Sequence, residues 1–190
     1  MKWAILIHGW GDREEFYRAD LPTASNSHWF LWLTKQLMIR DIHTVALEMP
    51  NSYYPEYGVW KRELERFEVD EDTVLVGHSC GAGFIVRYLS EEAVKVGKVV
   101  LVAPWIGVME GGEDFDEGFF DFEIDGGLVE KTAGVTLMES SNDMRVVNES
   151  VEILKRKIEG MRVVTIEGAG HFCKRDGYEE FEELLEEVLR

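Results

Sequence analysis

TVLVGHSCGAG, residues 73–83, joins an apolar run directly to a Gly-x-Ser-x-Gly pentapeptide centred on Ser79. The β-branched and apolar residues before it favour a buried strand, and the apolar residues after Gly83 recur at helical spacing. Glycines two positions before and after Ser79 let neighbouring backbone approach a tight strand-to-helix turn without a Cβ clash. The stretch therefore predicts a nucleophile elbow, with the Ser79 hydroxyl facing a cleft.

A serine hydroxyl becomes a useful nucleophile when a histidine takes its proton and a carboxylate orients that histidine. Around an elbow of this kind the three residues follow in the order serine, acid, histidine. His171 is the only one of the five histidines downstream of Ser79, so it is the predicted base. Asp143 follows an apolar run and is the predicted acid, with Asp125 as the alternative. Each also has a structural interpretation, Asp143 as a helix cap and His171 as a loop residue.

Two backbone N–H groups are predicted to bind the oxyanion that forms when Ser79 attacks a carbonyl. One belongs to the residue after the nucleophile, Cys80, and the other to the loop after the first strand. That loop is the glycine-bracketed turn at 8–11, which points to the N–H of Trp10. Cys80 is also an alternative nucleophile, although its position predicts a side chain turned into the helix packing.

Apolar strand-like runs alternate with helical patterns along the whole chain. The predicted strands are 2–7, 43–48, 73–77, 98–103, 135–139 and 161–166, and the predicted helices are 28–39, 57–67, 80–91, 147–157 and 177–189. Such alternation is typical of an α/β fold with a mainly parallel sheet covered by helices on both faces. Ligands bind such sheets at the carboxyl ends of the strands, where all the candidate residues fall.

The length, composition and net charge of the chain bear on its domain number, its partners and its location. A chain of 190 residues with 45% hydrophobic residues is predicted to form one domain, 1–190. Its net charge of −17 argues against nucleic acid and anionic membranes as partners. The chain has no apolar stretch of about 18 residues, and Met1 is followed almost directly by a strand, so we expect a cytoplasmic protein.

No metal-ligand spacing is recognisable in the chain, so we expect neither a metal site nor a cofactor. Its two cysteines are too few for a disulfide framework and are predicted to be free thiols.

One segment, at about 108–127, interrupts the alternation. Between Glu110 and Asp125 it has eight acidic residues and no lysine or arginine, interleaved with four phenylalanines. Because it follows the fourth strand, it is predicted to overhang the site as a small lid whose phenylalanines contact an acyl group. The alternative is a surface excursion whose aromatic residues pack on the core.

The chain resembles the small, lidless serine hydrolases of the α/β-hydrolase superfamily that include retinoblastoma-binding protein nine. The resemblance runs nearly end to end and rests on seven segments beyond composition: His8-Gly9-Trp10-Gly11, Ser27-His28-Trp29, Met49-Pro50-Asn51 with Trp60, Gly77-His78-Ser79-Cys80-Gly81, Ala103-Pro104-Trp105, Ser141-Asn142-Asp143 and Gly168-Ala169-Gly170-His171-Phe172.

The resemblance implies a reduced α/β-hydrolase core of six parallel strands and a catalytic triad of Ser79, Asp143 and His171. It also implies esterase-like activity. The Leu-x-Cys-x-Glu motif that links the human member to the retinoblastoma protein does not occur in this chain, so that partner is not expected.

Four aromatic residues flank the predicted catalytic loops and are candidates for substrate contact, namely Trp10, Trp29, Trp105 and Phe172. An aromatic cleft suits a small apolar acyl or aryl ester, although each residue has an alternative place in the core. The predicted function is a cofactor-free serine hydrolase that cleaves small carboxylic esters through an acyl-enzyme on Ser79. The alternatives are a peptidase or thioesterase of the same fold, or a non-catalytic hydrolase-fold module that binds a protein.

Overall fold

The computed structural model describes residues 3–107 and 118–190, which form a single six-stranded sheet in the order β2-β1-β3-β4-β5-β6. Every neighbouring pair of strands is parallel. The strands are β1 (Trp3–Ile7), β2 (His43–Leu47), β3 (Thr73–His78), β4 (Lys98–Val102), β5 (Val135–Ser140) and β6 (Arg162–Ile166). The predicted parallel α/β sheet is therefore confirmed.

The position of each strand in the sheet explains its composition. The central strand β3 is buried at all of its residues, and its apolar run is continuous because helices cover both of its faces. The two edge strands, β2 and β6, are more exposed. Ser79 therefore follows the most completely buried strand of the sheet.

The helices are α1 (Arg13–Phe16), α2 (Phe30–Met38), α3 (Tyr57–Leu64), α4 (Cys80–Glu91), α5 (Arg145–Lys157) and α6 (Glu182–Leu189). Short 3-10 turns lie at Ala24–Asn26, Leu128–Lys131 and Lys174–Asp176. Among helices of residues 3–107 and 118–190, none is both long enough and apolar enough to cross a membrane.

The direction in which the chain crosses the sheet between consecutive strands determines which face each helix covers. The chain steps from β1 to β2 in one direction and from β2 to β3 in the other, and right-handed crossovers then place α2 and α3 on opposite faces. Ring contacts agree: Trp29 before α2 lies 6.1 Å from Phe181 before α6, and Trp60 of α3 lies 5.7 Å from Phe84 of α4. The same rule places α5 with α3 and α4, which gives three layers.

The terminal helix begins later than its sequence pattern predicts, at Glu182 instead of residue 177. Gly177 has a φ of 97°, in the left-handed region that ends the 3-10 turn before it, so the chain cannot continue as one helix. The sequence prediction also missed α1. That helix begins after Asp12, whose side chain accepts hydrogen bonds from the N–H groups of Glu14 and Glu15.

The acidic and aromatic segment is only partly described. The lid hypothesis for 108–117 lies outside the described residues. Beyond it, Phe119 is fully buried and its ring lies 5.2 Å from that of Trp60, so this phenylalanine belongs to the core. Phe120 packs edge-on against Trp105 at 5.2 Å.

Close backbone contact at the start of α4 explains one glycine of the pentapeptide. A Cβ added to Gly81 would lie 2.3 Å from the carbonyl oxygen of His8 and 2.4 Å from that of Ile7. Both atoms are backbone, so neither can move aside cheaply. The glycine lets α4 pack directly on the end of β1, beside the turn that carries Trp10.

We expect Gly81→Ala to lower the free energy of unfolding by about 3 kcal/mol, because the added methyl group overpacks this contact. Denaturant unfolding measures the change. Gly58→Ala in α3 is the matched control, since the nearest atom to its added Cβ is the flexible Arg62 guanidinium at 3.7 Å. That change should alter stability by at most about 1 kcal/mol in the stabilising direction. Equal effects of the two substitutions would contradict the packing argument.

Candidate active site

Four candidate residues lie on loops at one edge of the sheet. Trp10 follows β1, Ser79 follows β3, Asp143 follows β5 and His171 follows β6. All these strands are parallel, so their carboxyl ends meet at the same edge, where open α/β sheets bind ligands.

Ser79 has a strained backbone. Its φ and ψ are 54° and −121°, a backbone conformation that residues other than glycine rarely adopt. Its carbonyl oxygen accepts hydrogen bonds from the N–H groups of Ala82 at 3.0 Å, Gly83 at 3.1 Å and Trp105 at 3.1 Å. Its own N–H donates to the carbonyl of Val102 at 2.9 Å. These four hydrogen bonds hold the serine in a conformation that it would not keep alone.

Strain is concentrated on this edge of the sheet. Besides Ser79, three further non-glycine residues with positive φ lie on loops that follow strands, Asn51, Ala103 and Phe172, and His28 lies just before α2. Strained backbone costs about 1–3 kcal/mol at each position and persists where the surroundings over-determine it, which is characteristic of functional sites.

Asp143 and His171 form a direct pair. The Nδ1 atom of His171 lies 2.9 Å from Oδ1 and 3.0 Å from Oδ2 of Asp143. The carboxylate is 1% exposed and the imidazole 10%, so water barely competes for this contact. Because a carboxylate accepts and does not donate, it holds the proton of the neutral imidazole on Nδ1 and leaves Nε2 free to act as a base.

Neighbouring groups hold the Asp143 carboxylate and its loop. Its Oδ1 accepts the N–H of Met144 at 2.6 Å, and its backbone carbonyl accepts the Asn148 side-chain amide at 3.0 Å. The loop after β5 is also joined to the loop after β6, since Asn142 Oδ1 accepts the N–H of Gly170 at 2.8 Å. The acid and the base are therefore positioned by one connected unit.

Two side chains clamp the backbone of His171 from opposite sides. Asp176 Oδ2 accepts the N–H of His171 at 3.0 Å and that of Cys173 at 3.1 Å. On the other side, Nε2 of His78 donates to the carbonyl of His171 at 2.8 Å. The loop that carries the base is thus tied to the residue immediately before Ser79.

Sequence reasoning missed both Asp176 and His78. His78 occupies a variable position of the pentapeptide, and Asp176 lies outside any motif, so no local pattern marks either residue. His78 acts on a backbone carbonyl 93 positions away, which only the tertiary fold brings close, whereas Asp176 acts within the loop that carries His171.

Burial also keeps the imidazole of His78 neutral. Burial lowers the pKa of His78 well below its usual value, and the charges of His171 and His28 act in the same direction. The pKa of His28 falls to about 4, again chiefly through burial. Both rings are therefore neutral near pH 7, and His78 can donate one hydrogen bond without adding a charge next to His171.

The hydrogen bonds of the described residues do not include one between the Ser79 hydroxyl and Nε2 of His171. The two residues are nevertheless neighbours through His78, whose ring lies 4.8 Å from that of His171. Hydrogen bonds between a nucleophile and its base are often long until substrate binds, so this geometry is compatible with proton transfer.

The predicted oxyanion donors lie beside Ser79. Cys80 is the first residue of α4, where a backbone N–H has no acceptor within the helix. The turn that carries Trp10 comes equally close, since a Cβ built on Gly9 would lie 2.9 Å from Cβ and 3.4 Å from Oγ of Ser79. Cys80 and the turn that carries Trp10 therefore both lie close to the serine, and the role of their two N–H groups as oxyanion donors stays a prediction.

Both cysteines are free, as predicted, and both are buried. Burial raises the pKa of the Cys80 thiol well above its usual value, which disfavours the reactive thiolate. The alternative in which Cys80 is the nucleophile is therefore not supported. Burial raises the pKa of Cys173 in the same way, to about 11.

Asp125, the alternative acid, has other partners. Its carboxylate lies 2.9 Å from the ammonium of Lys131 and accepts the N–H of Gly127 at 2.9 Å. The structure brings Asp143, and not Asp125, to His171.

The four aromatic candidates for substrate contact have different positions. Trp10 is half-buried, and its indole N–H donates to the carbonyl of Tyr53 at 3.1 Å. Trp29 and Phe172 have no exposed surface, and Trp105 is 4% exposed. Trp29 stacks on Phe30 at 4.2 Å and donates to the carbonyl of Phe172 at 3.1 Å.

The side chains of Trp29, Phe172 and Trp105 belong to the hydrophobic core, so the structure gives these three residues little or no exposed surface. Their contact with substrate stays a prediction. Sequence position places an aromatic residue on a loop, whereas the direction of its side chain depends on which apolar surface lies nearest.

Comparisons with known proteins identify the family of this chain. A family model described as "Serine hydrolase" matches residues 4–190. YdeN of Bacillus subtilis (strain 168), a protein that carries the name of a hydrolase, is 27% identical over 184 residues, which are 93% of this chain and 89% of YdeN. The crystal structure of the ydeN gene product superposes with a TM-score of 0.81 at 25% identity, covering 98% of this chain and 96% of that one.

More distant solved structures share the fold. Est1E from Butyrivibrio proteoclasticus with bound ferulic acid has a TM-score of 0.65 at 14% identity, covering 100% of this chain and 90% of Est1E. The carboxylesterase CesB of B. subtilis has a TM-score of 0.61 at 14% identity, covering 99% of this chain and 82% of CesB. The fold is that of the α/β-hydrolases, and the match over residues 4–190 shows that this chain belongs to the serine hydrolase family.

Proposed function

We propose that this hydrolase cleaves small, uncharged carboxylic esters through an acyl-enzyme on Ser79. The observation that carries the proposal is the buried contact of 2.9 Å between Asp143 and Nδ1 of His171, next to a serine held in a strained turn. Such an arrangement leaves Nε2 of His171 free to act as the base that activates the Ser79 hydroxyl when substrate binds.

In the proposed reaction, Ser79 Oγ forms a bond to the ester carbonyl carbon while its proton passes to Nε2 of His171. The resulting oxyanion accepts hydrogen bonds from the N–H groups of Trp10 and Cys80. The bond to the alcohol oxygen then breaks, and His171 returns its proton to the departing alcohol. A water molecule, deprotonated by His171, attacks the acyl-enzyme and releases the carboxylic acid and free Ser79.

The net charge of the protein favours uncharged substrates, and two structural neighbours favour carboxylic esters. The net charge of −17 disfavours anionic substrates, because the protein's own field repels them. Est1E and CesB, which share the fold, are respectively a protein solved with ferulic acid and a carboxylesterase, and both associations are consistent with carboxylic ester chemistry.

Exposure to a fluorophosphonate, followed by intact-mass measurement, tests the proposal. The reagent modifies activated serines, so we expect one adduct on the wild-type protein and none on Ser79→Ala. Ser90→Ala is the matched control. The Ser90 hydroxyl, near the far end of α4, donates to the carbonyl of Val86 at 2.8 Å and accepts the N–H of Asp125 at 3.1 Å. That variant should be labelled like the wild type. An adduct that persists in Ser79→Ala, or a wild type without one, would contradict the assignment.

A further inference from the structure

An exposed aromatic patch lies next to the turn that carries Trp10. It consists of Phe16 and Tyr17, at the end of α1, together with Tyr53, after β2, and we name these three residues the aromatic shelf. The ring of Phe16 lies 4.8 Å from that of Tyr53 and 5.1 Å from that of Tyr17. The hydroxyl groups of Tyr17 and Tyr53 are 3.0 Å apart. The three rings therefore support one another at the surface.

Packing of the core does not require this shelf. The helix α1 has no buried residue, and Phe16 and Tyr17 are 43% and 66% exposed. Single exposed aromatic residues are ordinary, but three in mutual contact form an apolar surface that water solvates poorly. Their grouping at the carboxyl edge of the sheet indicates a binding role.

Hydrogen bonds join the shelf to the turn that borders Ser79. The indole N–H of Trp10 donates to the carbonyl of Tyr53 at 3.1 Å, and the N–H of Gly11 donates to the carbonyl of Ser52 at 3.2 Å. At the other end of the same turn, a Cβ on Gly9 would lie 3.4 Å from Ser79 Oγ. One short turn thus borders both the serine and the shelf.

The order of strands indicates which part of an ester reaches the shelf. Trp10 and Tyr53 follow β1 and β2, on one side of β3, whereas Asp143 and His171 follow β5 and β6, on the other side. His171 protonates the departing alcohol in the proposed reaction, so the alcohol faces the His171 side. The acyl group then extends toward the shelf.

We propose that the aromatic shelf binds an aromatic ring on the acyl group of the substrate, which makes arylacyl esters the preferred substrate class. This inference rests on the proposed function. Offset or edge-on contacts between rings add to simple burial, and Phe16, Tyr17 and Tyr53 present both faces and edges. The guanidinium of Arg13 lies 5.7 Å from the centre of the Tyr53 ring, so the shelf also offers a cation at its border.

Two methyl esters of the same skeleton test the proposal, methyl 3-phenylpropanoate and methyl 3-cyclohexylpropanoate. We expect the ratio of their kcat/KM values, phenyl over cyclohexyl, to fall by about tenfold in Phe16→Ala/Tyr17→Ala relative to the wild type. The double variant should fold normally, since α1 buries no side chain. Trp3→Ala is the matched control, because Trp3 is 40% exposed and lies at the opposite end of β1. It should leave the ratio unchanged.

A binding measurement separates this proposal from the catalytic one. Calorimetric titration of methyl 3-phenylpropanoate into Ser79→Ala needs no turnover, and adding the two shelf substitutions should raise Kd by about tenfold. If the wild type does not hydrolyse the ester but the shelf substitutions still raise Kd, the proposed function would be overturned and the shelf supported. An unchanged Kd and an unchanged ester ratio would overturn the shelf. A shift confined to the ratio for phenyl acetate over ethyl acetate would overturn its assignment to the acyl group.

Discussion

Replacement of Ser79 by alanine is expected to lower kcat for ester hydrolysis by about 10⁶, the loss seen when the nucleophile of a serine hydrolase is removed. The acyl-enzyme cannot form without the hydroxyl, and His171 with Asp143 has nothing to activate. Residual turnover would come from the oxyanion donors and substrate binding alone.

The fold should survive this change. Alanine keeps the Cβ that the turn already accommodates at a φ of 54°, and the hydrogen bonds of residue 79 are made by its backbone. Thermal unfolding of the variant, compared with that of the wild type, measures this directly. A fall in kcat of less than about tenfold in a normally folded variant would mean that another residue carries the chemistry.

Asp143→Asn is expected to lower kcat by about 10⁴ with little change in structure. The side chain is 1% exposed, so water cannot replace the lost carboxylate. An amide presents an N–H group as well as a carbonyl, and it can hold His171 in the tautomer that places the proton on Nε2, the atom that must accept one from Ser79. Pre-steady-state and steady-state kinetics with a methyl ester measure the loss.

Asp125→Asn provides the control and tests the alternative acid at once. Its carboxylate contacts Lys131 and the N–H of Gly127, so we expect kcat to stay within about twofold of the wild type. Near-full activity of Asp143→Asn together with a large loss in Asp125→Asn would reverse the assignment.

The histidines illustrate which parts of the site can be predicted from residue order and which depend on tertiary packing. Chain order alone predicts His171 as the base, because it is the only histidine after Ser79. It says nothing about His78, whose ring donates to the carbonyl of His171 at 2.8 Å. That bond joins residues 93 positions apart, and only the adjacency of the two loops in space creates it.

The aromatic residues show the same difference between what the sequence predicts and what the fold determines. Their position near catalytic loops is visible in the sequence, but Trp29 and Phe172 turn inward and are fully buried. Phe16 and Tyr17 turn outward in a helix that the sequence pattern did not predict. A side chain's direction depends on the apolar surface offered by distant elements, and local spacing does not contain that information.

The six strands, five of the six helices and the edge at which the candidate residues collect follow from the sequence alone. Apolar periodicity is a local property, and parallel strands connected by helices must bring their carboxyl ends to one edge. Tertiary structure alone decides which acid lies 2.9 Å from His171, which loops brace that contact, and which aromatic rings remain exposed. These depend on the close packing of residues far apart in the chain, where a displacement of one ångström separates a hydrogen bond from none.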